Sequence, residues 1–122
     1  MLDWLVAYLL TCAVEIPLVV ALVRRLGWAP GSARPLAETV AIAWALQLSH
    51  PLLWLVGTPD VARLVAAEVA VTVVEGTALA AWAIGRCGAD RSRTTWGRAM
   101  LVAVVANGSS LALGLLLRLL LV

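Results

Sequence analysis

Hydrophobic positions fall into four long runs, covering roughly residues 4–23, 36–56, 61–84 and 99–122. Each run offers about the 20 apolar residues that a helix needs to cross the hydrocarbon core of a bilayer. The breaks between them carry loop chemistry. Arg24 to Pro35 is rich in Gly, Pro and Arg, Gly57-Thr58-Pro59-Asp60 reads as a tight turn, and Gly85 to Gly97 is polar. The predicted fold class is all-α: an integral membrane four-helix bundle with short loops, a single transmembrane domain over residues 1–122.

Composition strengthens this prediction. Of 122 residues, 63% are hydrophobic and 13% charged, with a mean hydropathy of +1.00. Soluble domains run at about 45–50% apolar and 25% charged, so the excess calls for an apolar solvent. Four spans and their connections use up the chain, leaving no separate soluble domain. The amino-terminal run lacks a basic start, carries Asp3 and is interrupted by Glu15, so it reads as a first span rather than a cleavable leader.

Charge placement adds an orientation. All nine basic residues are arginine, and seven lie in two connections: Arg24, Arg25 and Arg34, then Arg86, Arg91, Arg93 and Arg98. The positive-inside rule puts both connections in the cytoplasm, which predicts an N-out, C-out multi-pass protein of the cell inner (plasma) membrane. These arginines are topology signals first and contacts to membrane lipid second; nucleic acid is not an expected partner. Arg63 and Arg118 fall near the opposite helix ends, where their stems can snorkel. Trp4, Trp54, Trp82 and Trp96 fall near predicted interfaces, as an aromatic belt does. Cys12 and Cys87 show neither disulfide nor metal-ligand spacing.

Polar residues within the runs carry the chemistry. Glu15, Gln47, His50, Glu68, Glu75 and Asn107 all lie well inside predicted spans. At about 1.5 Å of rise per residue, His50 and Glu68 sit roughly 10 Å from the outer ends, and Gln47 roughly 13 Å. By the same count Glu15 and Asn107 lie near ~17 Å and Glu75 near ~21 Å, so all four helices feed one polar band. Glu68 and Glu75 share a helix face, with Thr72 between them; Asn107 and Ser110 are also neighbours on theirs. Ala106, Ser110 and Gly114 form a small-residue stripe that permits close helix approach.

An ionised carboxylate in mid-membrane costs at least about 2.5 kcal/mol. Three glutamates share the band, and no arginine lies at their depth. His50 is the single internal counter-charge, so at least one glutamate is expected to be protonated, metal-bound or paired with a partner molecule. Gln47, Thr72, Asn107 and Ser110 read as supporting interhelical hydrogen-bond residues. His50 before Pro51 can also serve to cap carbonyls freed at a proline kink. The single histidine excludes a bis-histidine haem within the chain. A divalent metal held by Glu68, His50 and either Glu15 or Glu75 is a candidate cofactor, because carboxylate plus imidazole suits zinc, iron or manganese.

The succession Glu15-Ile16-Pro17, Ser49-His50-Pro51, Glu68 with Glu75, and Asn107 with Ser110 and Gly114 resembles a group of small bacterial four-helix membrane proteins. The group usually has Asn three residues before the His-Pro or Gln-Pro pair; here the position is Gln47. The resemblance implies the four-helix fold and the polar band, and no activity. Three functions are expected from the residues. The first is a cation site, for a proton or divalent metal, at Glu15, His50, Glu68 and Glu75, serving transport or proton relay. The second is an accessory or structural subunit of a larger membrane complex, against which a stable isolated homo-oligomer, the other expected partnership, would count. The third is an intramembrane hydrolase in which Glu and His activate water.

Overall fold

A computed structural model of the protein describes residues 2–51 and 60–121. The end of the second predicted run, Trp54, most of the predicted turn at 57–60 and the side chain of Arg118 lie outside the described residues. Within them the chain is helical throughout: α1 spans Leu2–Arg25, α2 Pro35–Leu46, α3 Val61–Arg86 and α4 Arg93–Leu121. α1, α3 and α4 are long and apolar enough to cross a membrane.

Local signals set the helix ends. α1 closes in a Schellman turn, in which Trp28 N–H donates to Val23 C=O at 3.2 Å and Gly27 N–H to Arg24 C=O at 3.0 Å. Gly27 supplies the left-handed conformation that the turn needs, at φ 75°. Trp28 and Val23 are both buried, which provides the apolar contact typical of this motif. α2 starts with Pro35, whose fixed φ suits a first turn. Asp60 caps α3 by accepting from Ala62 N–H at 3.2 Å. Ser92 Oγ accepts from Thr95 N–H at the start of α4.

The second run is not one unbroken helix. α2 stops at Leu46, a turn occupies 47–48, and helix resumes over 49–51. Pro51 accounts for the position of this break. A proline in a helix has no N–H to give the carbonyl four residues back, and its ring collides with that carbonyl. Here that carbonyl belongs to Gln47. It accepts instead from His50 N–H at 3.2 Å, while Gln47 and Leu48 N–H groups donate to Trp44 and Ala45 C=O in tightened i to i−3 bonds.

The helices form a closed ring: α1 packs along α2 and α4, α4 along α3, and α2 more lightly on α3. Glycine and alanine bring α3 and α4 together. A methyl group on Gly76 would meet the Met100 side chain and come within 3.2 Å of its Cα. Ala80 and Ala83 face a seam that also holds Ala99 and Ala106, all fully buried. Both arginine-bearing connections lie at one end of the bundle, where Gly31 N–H donates to Arg86 C=O at 3.0 Å. The apolar core fills the half nearest this basic end. Along 4–14, 61–70 and 111–117 no described side chain is buried.

Candidate functional site: a buried Glu–His–Glu layer

Where the apolar core ends, a polar layer begins, near the midpoints of α1, α3 and α4. Glu15 of α1 is fully buried, and Gln47, Glu75, Asn107 and His50 are at most 9% exposed. Each carboxylate is held by one amide and one hydroxyl. Glu15 Oε2 accepts from Gln47 Nε2 at 2.8 Å, and its Oε1 accepts from Ser110 Oγ. Glu75 Oε2 accepts from Asn107 Nδ2 at 2.6 Å, and its Oε1 from Ser49 Oγ at 2.8 Å. The helices α1, α3 and α4 contribute, together with the segment 47–50 that follows α2.

His50 lies between the two halves. Its Nε2 is 3.6 Å from Glu15 Oε1 and its Nδ1 is 3.5 Å from Glu75 Oε1. Both distances are just beyond a hydrogen bond yet short enough for an ion pair once the ring is protonated. One ligand atom from each of Glu15, His50 and Glu75 lies within 4.8 Å of the others, which is compact enough for three residues to share one cation. Gln47 Oε1, Asn107 Oδ1 and His50 Nδ1 are buried with no hydrogen-bond partner. Native interiors rarely leave such atoms alone, so the layer has unused capacity for a proton, a water or an ion.

The backbone explains how these groups meet. In a regular helix, residues two apart point to nearly opposite sides. Gln47 and Ser49 nevertheless reach Glu15 and Glu75 respectively, because the turn at 47–48 separates them. On α4, Asn107 and Ser110 are three apart and share a face, so one helix serves both acids. The Asn107 amide also donates to Ala103 C=O at 2.9 Å, which fixes its rotamer. Near Glu15, Pro17 leaves the Ala13 carbonyl without its helical donor.

Of the expected site residues, the structure gathers Glu15, His50, Glu75, Gln47, Asn107 and Ser110. Glu68 stands apart: it is half-buried, and among the described residues no hydrogen bond or ion pair holds its carboxylate. The carboxylate completing the three-residue cluster is therefore Glu75, where the expected metal set named Glu68. Depth counting from the predicted span ends put Glu68 level with His50 and Glu75 deeper. Thr72 lies outside the layer; its hydroxyl donates to the Glu68 backbone carbonyl at 2.8 Å. Ser49 is the residue the sequence reading passed over, although it stands beside His50. No protein-family profile, curated protein or solved structure matches this chain.

Proposed function

We propose that this chain is a multi-pass membrane protein whose Glu15–His50–Glu75 layer binds and passes on a cation, the proton being the cation that the geometry favours. The reading rests on one observation, the imidazole placed between two carboxylates with one ring nitrogen toward each. A neutral imidazole has one donor and one acceptor nitrogen, so a proton taken up on one side can be released on the other. Two carboxylates and an imidazolium sum to −1, and one further proton makes the layer neutral. Burying net charge is costly, so exchange of that proton is where the layer's energy is most sensitive.

In this reading the basic end faces the cytoplasm of an inner (plasma) membrane. Lipid then covers side chains such as Leu9, Val65, Val69 and Leu115, each more than half exposed. Glu68 lies on the same face of α3, about 10 Å from Glu75 toward the other end, where it can receive the cation first. Proteoliposomes under an imposed pH gradient test this. Wild-type protein should dissipate the gradient, and Glu75→Gln or His50→Ala should slow dissipation at least ~10-fold, within the range of a lost proton-transfer group. Undiminished flux in both variants, with helical content retained, overturns the reading.

A divalent metal is the second reading, favoured by the 4.8 Å cluster. One imidazole nitrogen and two carboxylates suit zinc, iron or manganese. Elemental analysis of the purified protein should then find stoichiometric metal that His50→Ala loses. An accessory role, by contrast, draws less support from the layer, because Glu15 and Glu75 already have donors within the chain. Among the described residues, Glu68 is the glutamate of the predicted spans left for a partner's cation. A hydrolase needs water at the layer.

A further inference from the structure

At the basic end, the last turn of α1 and the second and third turns of α4 enclose a groove of about 140 Å³. Its walls are apolar, formed by Leu22, Leu26, Leu101 and Val105, and Arg25 and Arg98 stand on its lining. We infer that this groove holds an anionic phospholipid, with an acyl chain against the apolar wall and the phosphate between the two guanidinium groups. The inference rests on the membrane placement proposed above and not on the Glu–His–Glu layer.

Charge complementarity selects this occupant. Arg25 and Arg98 are exposed, and among the described residues the only ion pair made by an arginine is that of Arg86 with Glu38. Neither groove arginine is therefore spent on a carboxylate. Asp90, the acid that feels Arg98, has its Oδ1 occupied by Ser92 N–H and Thr95 Oγ. A guanidinium fork matches phosphate oxygens in two-point geometry, and the leaflet facing the cytoplasm is the anionic one. A soluble anion would leave the apolar wall uncovered. A zwitterionic lipid would oppose the two arginines with its own cation.

Native mass spectrometry of the detergent-solubilised full chain, titrated with phosphatidylglycerol or phosphatidylcholine, tests the site. Phosphatidylglycerol should be retained preferentially, and Arg25→Gln and Arg98→Gln should each weaken retention about fivefold, as one interfacial guanidinium contributes. Val105→Trp fills the groove with both arginines intact and should also weaken retention, whereas Arg34→Gln, away from the groove, should not. Equal retention of both lipids overturns the inference, even if the protein still partitions into membranes, in which case the membrane placement survives. An Arg34→Gln loss matching that of Arg25→Gln means diffuse attraction and overturns it too. Full competition by inorganic phosphate points to a headgroup-only anion site and does the same. Should Val105→Trp fail to fold, the exposed arginine pair decides.

Discussion

At the basic end, Glu38 meets Arg86 through two hydrogen bonds of 2.7 and 3.0 Å, with the arginine side chain 54% exposed. Midway along the helices, Glu15 and Glu75 meet no arginine among the described residues and are almost wholly buried. Both regions hold carboxylates, and they hold them differently. The exposed pair uses a full counter-charge in a setting where solvent and salt screen most of its worth. The buried pair uses four neutral donors and one shared imidazole, in surroundings where each missing donor is felt strongly. The first joins α2 to α3; the second ties α1, α3, α4 and the segment after α2 into one layer.

Removing a buried acid should separate the two regions most sharply. Glu15→Ala leaves the donors of Gln47 and Ser110 and one side of His50 without a partner. It should cost about 3 kcal/mol, read as a lowered thermal midpoint in detergent, with Glu15→Gln costing less. A loss no larger than that of an exposed variant would erase the distinction. Gly76→Leu tests whether the layer depends on the α3–α4 seam: with Met100 Cα so close, it should destabilise by about 1–3 kcal/mol and disturb the Asn107–Glu75 contact. Gly27→Ala acts only on the basic end, through the left-handed conformation at that residue, and should cost about 1–2 kcal/mol. Gly31→Ala, with open space at its Cβ and no such conformation, is the matched control and should be silent.

Glu38→Gln should shift the thermal midpoint least. It has a chemical readout instead. Burial, and then the nearby Glu38 charge, push the Cys87 thiol up to about 11. A raised value keeps the thiol protonated through pH 7–9, so alkylation should be slow there and accelerate only as pH approaches 11. Glu38→Gln removes the second cause and should speed alkylation of Cys87 at pH 9. A thiol that reacts at pH 7.5 as fast as a free cysteine would show that the basic end is looser than described.

Much of the layer was legible from residue type and spacing. Glutamates inside apolar runs cannot be left to lipid, and Asn107 and Ser110 stand three apart, as one helix face requires. The expected metal set named Glu68, whereas the compact cluster holds Glu75. Glu68 and Glu75 lie on one face, so periodicity cannot choose between them; only their level relative to the other helices can. Ser49 was missed because in a straight helix it would point away from Gln47.

The sequence by itself determined the helical class, three helices long and apolar enough to cross a membrane, the basic end and the identity of most polar groups. Hydrophobic periodicity, glycine and proline chemistry, and charge placement are local properties. Only the tertiary structure decided which acids meet. Pro51 denies Gln47 its usual partner, the helix turns at 47–48, and Gln47, Ser49 and His50 are thereby directed at two acids on different helices. The residue types are written along the chain; the level at which they meet is set by how α1, α3 and α4 pack around that turn.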